Sequence, residues 1–165
     1  MIAFHPNPGA RRGSVLVESA LCLLPLLGLL WGIFDIGFAI FVKNTMSFAV
    51  RQGVRYAVTS QTMPGLGHDA SIKTRVKECS LGLADALSPD RDGMGAIRIT
   101  YYDPVTLSVV SGAGSNAGGN IVVVSAENLS WAWMIPLLRD KTPLQFSVAS
   151  ADIMEGSPVG GPPAR

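Results

Sequence analysis

The stretch Arg11–Gly32, RRGSVLVESALCLLPLLGLLWG, decides the architecture because it opens a long apolar run close to the N-terminus. This run extends from Val15 to Val42, and roughly 20 apolar residues are enough for a helix to cross a bilayer. A cleavable secretory signal has an apolar core of only about 7 to 15 residues. The sequence therefore predicts a membrane-spanning helix that remains in the mature protein.

The composition is typical of a membrane-associated protein with one modest domain. The chain has 165 residues, of which 48% are hydrophobic and 15% charged, with a formal net charge of +1. A nearly neutral chain without a basic patch predicts no nucleic-acid partner. The two cysteines, Cys22 and Cys79, lie far apart and form no metal-binding motif, so we expect no disulfide framework, no metal and no cofactor.

Two acids stand within the apolar run. A carboxylate in the hydrocarbon core costs roughly 2.5 to 3.5 kcal/mol on insertion scales, which makes an acid there a functional hypothesis. Glu18 and Asp35 would lie about 26 Å apart along a regular helix, slightly less than the roughly 30 Å hydrocarbon thickness. Each could therefore mark one membrane boundary. We favour that interpretation for Asp35 and a functional role for Glu18.

Three positions in the run indicate a helix that packs against other helices. Pro25 removes one backbone hydrogen bond and predicts a bend or a locally unwound turn around Leu21–Pro25. Gly28 and Gly32 form a GxxxG pair, a small-residue face that another helix can approach closely.

The helical pattern continues beyond the membrane. Apolar or small residues recur on one face at Val42, Met46, Ala49, Gly53, Tyr56 and Ala57, and no strong breaker appears before Met63-Pro64-Gly65. The sequence predicts one long helix from about Ser14 to Thr59, within an N-terminal region of residues 14–62. Its membrane part is predicted at about residues 15–42, and its second half covers a soluble domain.

Three segments of this region resemble the TadE-like family, which comprises pseudopilins or minor pilins of the tight-adherence (Tad) type IV pilus system. They are RGSVLVESAL at Arg12–Leu21, GIFDIGFAIF at Gly32–Phe41 and AVRQGVRYAV at Ala49–Val58. Their order and spacing are similar to those of the family. The family-motif residues are Asp35, Gly37, Arg51, Gly53 and Arg55.

The resemblance implies processing and assembly. A prepilin peptidase would remove residues 1–13 as a leader by cutting after Gly13, which makes Ser14 the new N-terminus and Glu18 the fifth mature residue. In the pilin superfamily this glutamate is thought to attract the terminal ammonium of an adjacent subunit. A carboxylate in low dielectric is tolerable when an opposite charge pairs with it.

The resemblance also implies location and partners. It places the leader in the cytoplasm and the head in the periplasm of a single-pass bacterial inner-membrane protein that can enter an extracellular pilus involved in surface adhesion. The expected partners are the inner membrane, the prepilin peptidase, other pilins or pseudopilins, and the Tad assembly platform.

Downstream of the long helix, the sequence predicts a small head at residues 63–155. It comprises one helix at Ser71–Leu87, N-capped by Ser71, and strands at Ala96–Tyr102, Ile121–Ala126 and Leu144–Ile153, with Val105–Val110 as a possible addition to the sheet. Residues 111–120 are predicted to be a flexible turn, and residues 156–165 a disordered tail. The expected fold is α+β and pilin-like: a long N-terminal helix with a head of one helix and a mostly antiparallel sheet.

The apolar segment Leu129–Leu138 has two open interpretations. It is too short to span a membrane and is interrupted by Pro136. Core packing or a short helix is the first interpretation, and contact with the membrane surface or a partner through Trp131 and Trp133 is the second.

We find no convincing catalytic set, so we expect no enzyme. His68 lies in a glycine-rich stretch without a partnered nucleophile and is interpreted as a solvated loop residue. SPDRDGMG at Ser88–Gly95 lacks the later glutamate of a calcium loop. An uncleaved, single-pass membrane-anchored binding or adhesin protein is the alternative to a pilin, and processing at Gly13 separates the two. A membrane-anchored enzyme with an unrecognised site is a third hypothesis.

Overall fold

The computed structural model describes residues 8–135, 139, 141–158 and 160–165, with side chains from residue 15 onward. The first seven residues of the predicted leader, and Pro136–Leu138 of the apolar segment, lie outside the described residues. The elements are α1 (Pro8–Val58), α2 (His68–Cys79), α3 (Leu83–Leu87), α4 (Gly93–Ala96), β1 (Ile97–Tyr102), β2 (Val109–Val110), β3 (Ile121–Trp131) and β4 (Leu144–Ile153). The predicted α+β fold is confirmed.

Helix α1 divides into an exposed half and a packed half. From Val15 to Phe41, Asp35 is the one residue that is buried. From Val42 onward, the predicted face lies in the core: Val42, Met46, Ala49, Gly53 and Ala57 are buried and Tyr56 is partly buried. Val50 and Val54, which the prediction did not include, are buried as well. Helical backbone continues through Pro25, so the locally unwound turn proposed around Leu21–Pro25 is not found.

The four strands form one antiparallel sheet in the order β2-β1-β3-β4. One face of this sheet packs on α1, chiefly through β3 and β4. Strand β4 has the bounds that the sequence predicts, whereas β3 continues five residues beyond Ala126 through an irregularity between Ala126 and Leu129. Residues 105–108 stay outside the sheet, because the Asp103 carboxylate accepts the N–H groups of Val105 and Thr106 and closes a turn.

The predicted single head helix is wrong, because the described part of the head has three short helices. The expected helix at Ser71–Leu87 is broken between α2 and α3, where Leu81 and Gly82 have φ values of 56° and 81°. The N-cap of α2 is Gly67 rather than Ser71. The Ser71 hydroxyl lies one turn inside the helix, donates to the Gly67 carbonyl and accepts the Met63 N–H. The apolar residues of this stretch nevertheless pack on the core: Ile72, Val76 and Leu87 are buried, and Cys79 and Leu83 are partly buried.

The helices α1 and α2 approach each other closely at Gly53. A Cβ atom built on this glycine would overlap Cγ2 of Val76 and would lie 3.6 Å from Cγ2 of Ile72. The family-motif glycine therefore allows two helices and the sheet beneath them to meet in one core.

Candidate assembly surface and its junction with the head

The exposed half of α1 presents apolar side chains in all directions. Leu16, Leu21 and Leu24 are 72%, 71% and 70% exposed. In the most apolar stretch of the helix, only 6% of the residues are buried. Among the described residues this is the one helix long and apolar enough to cross a membrane. A surface of this size requires lipid or other apolar helices around it.

Glu18 stands on this apolar surface as an exposed carboxylate. Within the part of the chain that the structure describes, no hydrogen bond or ion pair involves its side chain. Gly13 and Ser14 lie five and four residues earlier, in the helical backbone of α1. The carboxylate is therefore available to a charge from another molecule.

Asp35 joins the apolar helix to the head. Its carboxylate is only 1% exposed and accepts three hydrogen bonds, from Trp131 Nε1 at 3.1 Å and from the backbone N–H groups of Met134 and Ile135 at 3.0 and 3.2 Å. Trp131 is the last residue of β3, and Met134 and Ile135 follow it. At this point the chain leaves the sheet, so its backbone N–H groups need new acceptors. The sequence interpretation of Asp35 as a boundary residue does not include this role.

The apolar segment that begins at Leu129 is divided by this junction. Leu129 and Ile135 are buried, which agrees with core packing, and the described part of the segment contains no helix. The Trp131 indole N–H donates to the Asp35 carboxylate, whereas the Trp133 indole N–H donates to the Thr142 carbonyl at 3.2 Å.

The predicted helix-packing residues face different surroundings. A Cβ atom at Gly32 would lie 3.9 Å from Cδ1 of Ile135, so this glycine faces the head of its own chain. No atom of the described structure lies within 4 Å of the corresponding position at Gly28 or Gly37, and Pro25 is exposed. An approaching helix would therefore find open space at Gly28 but the chain's own head beside Gly32.

The family-motif arginines lie on the outside of the packed half of α1. Arg51 and Arg55 are both exposed, and neither side chain forms an ion pair within the described residues. Gly53 between them faces the core. The motif therefore combines one close-packing position with two solvent-facing cations.

A comparison with protein-family models covers this same part of α1. Residues 13–55 match the TadE-like protein family. The TadE-like segment begins at Gly13 and includes Glu18, Asp35 and Gly53, which confirms the resemblance seen in the sequence. The match indicates a protein associated with the Tad pilus, and the single apolar helix is consistent with membrane anchoring. Searches of curated proteins and of solved structures found no match.

A second polar cluster lies outside the TadE-like segment, where α2 begins. It contains His68, Asp69, Tyr101, Asn116 and Arg165. The interpretation of His68 as a solvated loop residue is wrong, because it is fully buried at the first position of α2. Sequence patterns could not predict this cluster, because its members are separated by up to 97 positions.

Two polar groups of the cluster lie within hydrogen-bond distance of His68 Nδ1. The Tyr101 hydroxyl donates to Asp69 Oδ1 at 2.8 Å, so its proton is not available to the imidazole. The Asn116 amide nitrogen lies 3.3 Å from His68 Nδ1 and can only donate. A neutral ring that accepts this bond at Nδ1 carries its proton on Nε2, which is buried without a hydrogen-bond partner among the described residues.

Burial lowers the pKa of His68 below its ordinary value of 6.5. The neighbouring Asp69 carboxylate acts in the opposite direction, and the Arg165 guanidinium lowers the pKa further. Burial, followed by the hydrogen bond to Asp69, raises the pKa of Tyr101 above its ordinary range. The cluster thus favours a neutral imidazole and a neutral phenol.

We expect the head to lose stability as the pH falls below 6.5. The unfolded chain takes up a proton on His68 at that pH, whereas the folded chain does so only at a lower pH, so the free energy of unfolding falls by up to about 1.4 kcal/mol per pH unit. Denaturant unfolding of the full chain in detergent micelles at pH 8 and pH 5.5 measures this difference.

His68→Gln should reduce this pH dependence. The matched control is His5→Gln, which removes the other histidine of the sequence and should leave the dependence unchanged. Equal pH dependence in His68→Gln and in the unsubstituted chain would show that His68 is not its source.

The described residues offer no metal centre. No three His, Cys, Asp or Glu side chains in that part of the chain lie close enough to share an ion. In the stretch that faintly resembles a calcium loop, the Asp92 carboxylate accepts the Met94 N–H and caps α4.

Proposed function

We propose that this chain is a minor pilin or pseudopilin, cut after Gly13 by a prepilin peptidase, that takes part in the assembly or priming of a Tad, Flp-type, pilus used in surface adhesion. One observation carries the proposal. Glu18, at the fifth position after Gly13, is an exposed acid on the apolar half of a helix whose residues 13–55 match the TadE-like family.

Cleavage would place an ammonium group on Ser14 at the start of the apolar helix. A carboxylate surrounded by hydrocarbon is costly unless an opposite charge pairs with it. The terminal ammonium of a neighbouring subunit supplies that charge, while apolar side chains around Glu18 pack against the neighbour's helix. The pairing thus fixes the axial position of one subunit relative to the next.

The position of the head supports a short membrane segment. From Val15 to Asp35 a regular helix rises about 30 Å, which equals the hydrocarbon thickness of a typical bilayer. The head first contacts α1 at Gly32 and Asp35 and buries Val42. We therefore propose that the distal membrane interface lies near Asp35 rather than Val42. The orientation, with the leader in the cytoplasm and the head in the periplasm, is what the resemblance to the TadE-like family implies.

Expression with and without a prepilin peptidase tests the processing step. Intact mass and N-terminal sequencing should show Ser14 as the first residue only when the active peptidase is present. A chain that retains Met1 under active peptidase would contradict the proposal and favour an uncleaved, membrane-anchored binding or adhesin protein.

The Glu18→Ala variant tests the assembly step. We expect it to insert in the membrane and to be cut, but not to be recovered with sheared pili, since the neighbour's ammonium has lost its partner. Glu155→Ala removes an exposed glutamate outside the TadE-like segment and should assemble normally. Equal recovery of both variants in pili would exclude the assigned role of Glu18.

A further inference from the structure

Residues 162–165 lie in a cleft between the start of α2, β1 and the loop that follows β2. The sequence predicts a disordered tail over residues 156–165. In the structure, however, Pro163, Ala164 and Arg165 form hydrogen bonds with the head. We define the arginine cleft by the residues that surround the Arg165 side chain: Asp69, Tyr101, Gly112 and Ser115.

Each of the three guanidinium nitrogens of Arg165 donates a hydrogen bond in this cleft. Nε and Nη2 donate to Asp69 Oδ2 at 2.9 and 2.6 Å. Nη1 donates to Ser115 Oγ at 2.6 Å and to the Gly112 carbonyl at 3.3 Å. The guanidinium carbon lies 4.9 Å from the centroid of the Tyr101 ring, within the range of a cation–π contact. This combination suits an arginine and not a lysine, since it uses a planar group with several donors.

The cleft also recognises the backbone that precedes the arginine. The Ala164 carbonyl accepts the His68 N–H at 2.7 Å, and the Pro163 carbonyl accepts from Asn116 Nδ2 at 2.9 Å. A Cβ atom on Gly67 would overlap the main chain of Arg165. The site therefore binds the Arg165 side chain and two backbone carbonyl groups, and it leaves room for the main chain of Arg165 beside Gly67.

Two hydrogen bonds that do not involve Arg165 support the cleft, one from the Tyr101 hydroxyl to Asp69 Oδ1 and one from Asn120 Nδ2 to the Ser115 carbonyl. Asp69 uses Oδ1 for the Tyr101 hydroxyl and Oδ2 for the guanidinium. Asn116 is 1% exposed and Ser115 is fully buried, although they lie in the loop that was expected to be a flexible turn. Such an arrangement offers Arg165 a preorganised anionic and aromatic surface.

We propose that the arginine cleft is a peptide-recognition site for a proline-containing segment that carries an arginine, and that the chain's own residues 162–165 occupy it as an intramolecular ligand. The connection is short: the Glu155 N–H bonds to the Val58 carbonyl, and the residues between Glu155 and Pro162 include three glycines. A short connection gives a tethered ligand an effective concentration on the order of mM. The inference rests on the head alone and does not depend on the pilus assignment.

The test removes the Arg165 side chain from the cleft and offers residues 160–165 as a separate peptide. The full chain with Arg165→Ala, in detergent micelles, is titrated with a fluorescent peptide of the sequence GGPPAR, which corresponds to residues 160–165. We expect saturable binding to this variant. Binding to the unsubstituted chain should be at least tenfold weaker because its own segment competes, and binding to the double variant Asp69→Asn with Arg165→Ala should also be at least tenfold weaker.

Three controls make the result decisive. Arg139→Ala removes an exposed arginine outside the cleft and should behave as the unsubstituted chain. The peptide GGPPAA should not bind, and circular dichroism reports whether each variant is folded. If Arg165→Ala does not fold, Arg165→Lys keeps the charge without the planar group and takes its place. The absence of saturable binding to a folded variant, or equal binding to the unsubstituted chain, would overturn the proposal.

Discussion

Replacing Asp35 with alanine should lower the free energy of unfolding of the full chain by about 3 to 5 kcal/mol. The substitution leaves the Met134 and Ile135 N–H groups and the Trp131 indole without their acceptor. Each buried donor that loses its partner costs about 1 to 3 kcal/mol. Because the three donors share one carboxylate, their losses occur together.

Denaturant unfolding in detergent micelles, followed by circular dichroism, measures this effect. Asp90→Ala is the matched control, since Asp90 is exposed and has no described side-chain contact; it should change stability by less than about 0.5 kcal/mol. Trp131→Phe removes the indole N–H and part of the ring but leaves both backbone donors their acceptor, and it should cost about 1 to 2 kcal/mol. If Asp35→Ala and Asp90→Ala unfold at the same denaturant concentration, Asp35 does not stabilise the junction.

The second large effect is expected at Gly53. Replacing this glycine with alanine places a methyl group on Val76, and overpacking of a dense core costs about 1 to 3 kcal/mol. The same change favours the helix intrinsically by up to about 1 kcal/mol. We expect the overlap to dominate, because Val76 is fully buried and has little room to move.

Gly37→Ala is the control for Gly53→Ala because it makes the same change in the same helix. Open space surrounds Gly37 within the described structure, so its stability should stay unchanged or rise slightly through helix propensity. Thermal unfolding of both variants in the same detergent compares them directly. Similar melting temperatures for the two variants would show that α1 and α2 do not meet as closely as the structure indicates.

The sequence predicted those elements whose determinants are local. The apolar run, the apolar face that follows it and the alternation of Ile97, Ile99 and Tyr101 with polar residues along β1 each depend on neighbouring residues, and each led to the correct element. The break between α2 and α3 was missed because Leu81 adopts a left-handed conformation that a non-glycine residue rarely takes. Gly82 gave the only local signal for it.

The sites were harder to predict because their partners are distant along the chain. Asp35 meets groups 96 to 100 positions later, and Arg165 meets Asp69 across 96 positions. Periodicity carries no information about such pairs. His68 illustrates the consequence: a glycine-rich neighbourhood suggested solvent exposure, whereas contacts with β1 and the C-terminal segment bury it.

The way in which the head is fastened to α1 determines how the molecule carries a mechanical load. Strand β4 runs beside the helix: Phe146 lies near Ile36 and Ile40, and the residue two positions after the strand bonds to Val58. The attachment from Asp35 to Val58 is about 35 Å long. A pull on the head along the helix axis therefore loads this whole length in shear, so tension reaches the membrane segment through many contacts at once instead of peeling them apart in succession.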